Sequence, residues 1–151
     1  MTTKPSLTLV RRIKAPPAKV FAAWTEPEMM AGWFGPSHTE VASAEADPRA
    51  GGRFRVVMQA TDGEVHDVSG VYREVVPDRK LVFTWAWIST PERESLVTVS
   101  LRPVEDGTEL TLTHERFFDE AAREGHRGGW TEALDKLEQL FADKRDKWRP
   151  S

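Results

Sequence analysis

From residue 6 to residue 14 the chain alternates, with Leu7, Leu9, Arg11 and Ile13 on one side and Thr8, Val10, Arg12 and Lys14 on the other, which is the period of a β-strand. Pro16-Pro17 forbids further strand pairing and suits a helix start, so a short helix is predicted from about Pro16 to Trp24. Thr25-Glu26-Pro27-Glu28 has the S/T-x-x-E form of a capping box, and a second short helix is predicted from about Pro27 to Trp33. Gly35-Pro36 ends it.

From there to Glu115 the period is two. Phe54, Val56 and Met58 share a face after Gly51-Gly52, Asp62-Gly63 makes a hairpin turn, and Pro77-Asp78 separates Val68–Val76 from the next strand. In that next strand Leu81, Phe83, Trp85 and Trp87 line one side and Val82, Thr84 and Ala86 the other. Val97, Val99 and Leu101 continue the pattern, Asp106-Gly107 turns the chain, and Leu110, Leu112 and His114 form a last row. For Val68–Val76 two faces compete, Val71/Val75 and Tyr72/Val76. The period then lengthens: Trp130, Ala133, Leu134, Leu137 and Phe141 recur at i, i+3, i+4, i+7 and i+11, an amphipathic helix. Gly125, Gly128 and Gly129 each weaken a helix by about 1 kcal/mol, so its regular part is predicted to begin near Gly129 after an irregular turn from Asp119. The order of elements predicts an α+β fold, a curved antiparallel sheet of about seven strands burying its aromatic face on the one long helix.

Composition narrows this picture. A chain of 151 residues, 39% hydrophobic and 30% charged, without a long apolar run, reads as one domain over 1–151 with no membrane insertion. The first ten residues lack a continuous apolar stretch, so a cytoplasmic location is expected. There is no cysteine for a disulfide, a thiolate metal site or a thiol nucleophile. Net charge is -3, split between +5 before Glu26 and 16 - 24 = -8 in the remainder. Arg11 and Arg12 point to opposite sides of their strand and make no basic stripe, which argues against nucleic-acid binding.

Eight motifs in a fixed order resemble a known family: Arg12-Ile13-Lys14-Ala15-Pro16-Pro17, Val20-Phe21-Ala22-Ala23-Trp24-Thr25, Trp33-Phe34-Gly35-Pro36, Asp47-Pro48-Arg49-Ala50-Gly51-Gly52, Gly70-Val71-Tyr72-Arg73-Glu74-Val75, Leu81-Val82-Phe83-Thr84-Trp85, Gly107-Thr108-Glu109-Leu110 and Gly129-Trp130. Over about residues 8 to 141 the chain resembles the activator of heat shock protein 90 ATPase homologue (AHSA)-like family of the START-like, or SRPBCC, superfamily. The resemblance implies the helix-grip fold and a cavity between sheet and helix that in relatives takes apolar small molecules.

Whether the aromatic residues form a core or line such a cavity is the central question for function. Burying Trp24, Trp33, Trp85, Trp87 and Trp130 is worth roughly 20 to 30 kcal/mol as an upper bound, a sufficient structural motive. Large rings with an indole N–H are equally natural walls for an apolar pocket, and the resemblance tilts the balance that way. On that reading Trp33, Phe83, Trp85, Trp87, His114, Trp130 and Leu134 are the ligand-binding candidates, for an apolar or amphipathic small molecule. His114 continues the Leu110/Leu112 row and either meets a ligand or ties the sheet to the helix. His126 reads as a loop residue at the helix entry or at the cavity, His38 and His66 as solvated, and Trp148 as a surface or interface residue.

Asp47 and Arg49 are expected to pin the Gly51-Gly52 turn. The four histidines show no metal-ligand spacing, and the nucleophile elbow, phosphate loop and dinucleotide fingerprint are all missing, so no metal, cofactor or catalytic residue is assigned. Two alternatives to a binding protein stay open: a chaperone-associated role, which the family name implies, and a cyclase- or hydrolase-like enzyme using the same cavity. Edge strands also permit a homodimer.

Overall fold

The computed structural model describes residues 4–148, with side chains as far as Ala142. Trp148, expected at the surface, has its side chain outside the described residues. The elements are β1 (Leu7–Ile13), α1 (Pro17–Thr25), α2 (Pro27–Met30), β2 (Thr39–Ala46), β3 (Arg53–Ala60), β4 (Val65–Val76), β5 (Lys80–Trp87), β6 (Ser95–Val104), β7 (Gly107–Glu115) and α3 (Glu120–Trp148).

Strands β2 to β7 form an antiparallel meander, and β1 returns to pair with β7, giving the order β1-β7-β6-β5-β4-β3-β2. The two edges of the sheet are therefore β1 and β2, which are consecutive strands of the chain joined through α1 and α2. The alternation read from the sequence sets the inward face. Phe54, Val56, Met58, Leu81, Phe83, Trp85, Val97, Val99, Leu110, Leu112 and His114 are all buried, and so are Trp130, Ala133, Leu134, Leu137 and Phe141 of α3. This is the helix-grip arrangement.

Arg11 clasps the helix from the sheet edge. Its guanidinium donates to Asp135 (2.6 Å) and to Glu138, and the two carboxylates outweigh partial burial to hold its pKa above the usual guanidinium value. Arg12 points the other way and is exposed. Asp47 and Arg49 do pair across their turn, at 2.9 Å.

Strand β4 resolves the two competing faces by using both. A register shift between Tyr72 and Glu74 re-aims the strand, so Val68, Gly70 and Tyr72 face the core before it and Val75 packs on the core after it. Just before this shift Gly70 allows a close approach: a Cβ there would clash with the Thr84 carbonyl oxygen and lie 2.7 Å from the Phe54 ring. In the same place the Thr84 hydroxyl accepts from the Val71 N–H at 2.8 Å.

Two boundary expectations need correction. The capping box does not form, because Thr25 is the last residue of α1 and its hydroxyl donates back to the Phe21 carbonyl at 2.9 Å; α2 starts on Pro27 alone and is a single turn ending at Met30. The long helix begins at Glu120, nine residues before Gly129, and takes in all three glycines. Asp119 starts it, its carboxylate accepting from the Ala122 N–H at 2.8 Å. Tertiary contacts along the rest of the helix outweigh the local penalty of the glycines.

Replacing Gly70 with Ala should lower stability by about 3 kcal/mol or more, because the groups it meets are a backbone carbonyl and a packed ring. Chemical denaturation checks this, and a loss under about 1 kcal/mol would mean that β4 and β5 part freely at this point.

Candidate functional site

The inward face of β5 carries three large rings, and the helix opposite answers them with small residues. Ala121, Gly125, Gly129 and Ala133 follow at intervals of four, a single ridge along α3, and all four line a cavity of about 300 Å³ between helix and sheet. Trp85, Trp87 and Met58 line it from the sheet, Trp130 from the helix, and the Phe34-Gly35-Pro36 segment completes the wall. Nothing lies within 4 Å of a Cβ built on Gly125. This glycine is not there to let another backbone approach; it is exposed, and the space beside it is open.

The segment on the far side is pinned to the helix. Glu132 accepts from the Ser37 N–H (2.9 Å) and hydroxyl (3.0 Å), which hold its carboxyl below the usual range, and Lys136 donates to the Pro36 carbonyl at 3.2 Å.

Three indole N–H groups point toward this region, and two histidines receive them. Trp130 Nε1 donates to His114 Nδ1 at 2.9 Å. That leaves the proton of His114 on Nε2, which lies 2.7 Å from the Ser95 hydroxyl, and the hydroxyl donates onward to the Trp85 carbonyl at 3.2 Å. His126 takes the opposite tautomer. Its Nδ1 faces the Ala122 carbonyl at 2.7 Å, which can only accept, so Nδ1–H donates there and Nε2 accepts from both Trp85 Nε1 (3.3 Å) and Trp87 Nε1 (3.0 Å). The rings of the two histidines are 5.1 Å apart, and Phe117 packs on both.

Burial drives the pKa of both histidines down, that of His114 well below 6.5, with the nearby His126 adding to the effect; for His126 the Ala122 hydrogen bond opposes part of the shift. Both rings are held neutral, as the hydrogen bonds require.

Of the residues singled out in the sequence, Trp85, Trp87 and Trp130 are on the cavity wall. Trp33, Phe83, His114 and Leu134 lie outside its lining and are buried in the layer behind it, where Trp33 Nε1 donates to the Ala23 carbonyl at 2.9 Å. Trp24 is in that layer too, 4.6 Å from Trp33 between ring centroids, and its Nε1 is buried without a hydrogen-bond partner. His126, expected in a loop, stands inside α3 and lines the cavity. Phe34, Met58 and the small-residue ridge were missed. The ridge did carry a signal, small residues at every fourth position, but it was read as helix weakness.

Among the described residues no group of three or more His, Asp or Glu side chains could hold a metal ion, and no helix is long and apolar enough to cross a membrane.

A curled seven-stranded antiparallel sheet holding one long helix, with two short helices after the first strand, defines the helix-grip class. The family model described as activator of Hsp90 ATPase homolog 1-like protein matches residues 14–142, and the chain belongs to that family. Similar solved structures include a Chromobacterium violaceum protein at 27% identity and TM-score 0.83, covering 90% of this chain and 96% of that one. The AHSA1 protein of Silicibacter pomeroyi is 29% identical, with TM-score 0.83 and coverage of 93% and 99%. A Rhizobium leguminosarum protein is 32% identical, with TM-score 0.75 and coverage of 93% and 95%. No curated protein matches the chain.

The neutral imidazoles make stability depend on pH with a definite sign. Their folded pKa values are depressed below 6.5, so between 6.5 and those values the unfolded chain binds protons that the folded chain does not, and stability falls as pH falls. Denaturation across a pH series should show a plateau above about pH 7.5 and, below 6.5, a slope of at least about 1.4 kcal/mol per pH unit from His114, increased by His126. The His126→Gln variant should show a smaller slope than the unaltered protein. An unchanged slope would mean that His126 titrates alike in the folded and unfolded chain.

Proposed function

We propose that this protein binds a compact, mainly apolar small molecule in the cavity between β5 and α3. The observation that carries the reading is the combination of a cavity of about 300 Å³ with a wall whose indole N–H groups are all directed at the two histidines. What such a wall offers a guest is ring faces, a thioether and the small side chains of α3, surfaces that favour apolar contact. A volume near the lower end of the range for ligand pockets suits a small guest rather than a long lipid chain.

The small-residue ridge adds independent support. Gly125 costs the helix about 1 kcal/mol relative to alanine, and no packing contact requires it. Gly125 is exposed and part of the cavity lining, where any larger side chain would narrow the opening. Proton transfer finds less support at this site, since both nitrogens of each histidine are engaged in hydrogen bonds and burial disfavours the protonated form.

Native mass spectrometry of the purified protein, compared with its denatured mass, tests occupancy directly; a discrete adduct lost on denaturation is expected. The Gly125→Leu variant tests location, because its side chain would project into the cavity. It should bind naphthalene, followed by tryptophan fluorescence, at least about tenfold more weakly than the unaltered protein while melting no lower. Gly128→Ala, off the cavity, should gain about 0.5 to 1 kcal/mol with binding unchanged. Equal naphthalene affinity in Gly125→Leu would place the guest elsewhere or nowhere.

A further inference from the structure

His126 is asked to accept more than it can. Its Nδ1 carries the proton, because the atom 2.7 Å away is the Ala122 carbonyl oxygen, and Nε2 therefore has a single in-plane lone pair. Two indole N–H groups converge on that lone pair, from Trp87 at 3.0 Å and from Trp85 at 3.3 Å. Elsewhere in the core each indole with a partner has an acceptor to itself: Trp130 has His114 Nδ1 and Trp33 has the Ala23 carbonyl. Two donors that share one lone pair each make a weaker bond than either would alone, and both belong to residues that line the cavity.

The remaining wall fixes the other properties of a guest. It contains no Asp, Glu, Lys or Arg, so an ionised molecule would give up part of its hydration without gaining a counter-charge. An engineered apolar cavity of about 150 Å³ holds one benzene ring. The present volume of about 300 Å³ is twice that and matches two rings.

We infer that the ligand is an uncharged molecule of two-ring size carrying one hydrogen-bond acceptor, such as a ketone oxygen, which takes the indole N–H that His126 leaves under-bonded. This rests on the cavity being a binding site and adds the chemical class of what it selects. The oxygen would accept from Trp85 or Trp87, and the other indole would then have the His126 lone pair to itself. A hydrocarbon of the same shape leaves the two donors sharing.

The test compares 1-tetralone with tetralin, which differ by one carbonyl group, using equilibrium dialysis on the full chain and on two variants. In both Trp85→Phe and Trp87→Phe one donor faces one lone pair and no N–H is in excess. The ratio of tetralone to tetralin affinity should fall by about two- to tenfold in each variant, the size of one net hydrogen bond. Trp87 is only half-buried, so its variant keeps the test valid should the deeper Trp85 change disturb folding. If both compounds bind and their ratio is the same in the unaltered protein and the Trp87→Phe variant, the acceptor inference is wrong and the cavity reading stands. If neither compound binds the unaltered protein, both fall together.

Discussion

The interaction on which the rest of this structure depends is the acceptance of three indole N–H groups by two neutral imidazoles. Strand β5 presents Trp85 and Trp87, α3 presents Trp130, and each ring has an apolar body that belongs inside and a polar edge that does not. A buried N–H without a partner costs about 1 to 3 kcal/mol, so three of them unanswered would offset much of the gain from burying the rings. His114 from the sheet answers the tryptophan of the helix, and His126 from the helix answers the tryptophans of the sheet. The exchange runs in both directions across the interface and sets the distance and rotation of the helix relative to β5. It holds only while both rings are uncharged, since a proton on His114 Nδ1 or His126 Nε2 would face an N–H donor.

This bonding scheme also explains how α3 can tolerate glycines opposite its most important contact. The helix is not held there by side-chain interdigitation along the 121–125–129–133 ridge, because that ridge has almost no side chains. It is held from beyond the ridge: by the His126 bonds on one flank, by Glu132 and Lys136 to the Ser37 and Pro36 backbone on another, and by Arg11 reaching Asp135 and Glu138 from the sheet edge. Further along, Leu134, Leu137 and Phe141 bury against the sheet in the ordinary way. Braced on several sides, the helix is held in place without side-chain interdigitation along this ridge.

Much of the fold was legible because it is written in local periods. The rows Leu81-Phe83-Trp85 and Leu110-Leu112-His114 and the Trp130-to-Phe141 stripe each declared a face, and each is buried. What could not be read was decided by groups distant in the chain. The capping box at Thr25 has the right spacing, yet the hydroxyl found the Phe21 carbonyl of its own helix instead. The face of β4 was ambiguous because two faces are used, and the switch falls at a register shift between Tyr72 and Glu74 that only the pairing with β5 defines. For His114 the row gave the direction of the side chain correctly, but its partners, Trp130 and Ser95, lie 16 and 19 residues away and no spacing rule connects them. The wall of the cavity was half legible: the tryptophans stood out as large, while Ala121, Gly125 and Gly129 were hidden by being small.

The misplaced start of α3 and the cavity are one observation seen from two sides. Helix propensity says that glycines at 125, 128 and 129 should delay the helix, and by propensity alone the prediction was sound. Its failure means that the surrounding structure supplies the missing stability, and does so at the stretch where the helix faces the tryptophans of β5. Sequences in which local preference and global structure agree fold well, and the places where they disagree are where a second requirement has been imposed. Close packing is not that requirement at Gly125, because a methyl group there would touch nothing. Neither is a turn, since the backbone is helical on both sides. Gly125 is exposed and belongs to the same lining as Trp85, Trp87 and His126, so a larger side chain there would take up room at the opening between helix and strand.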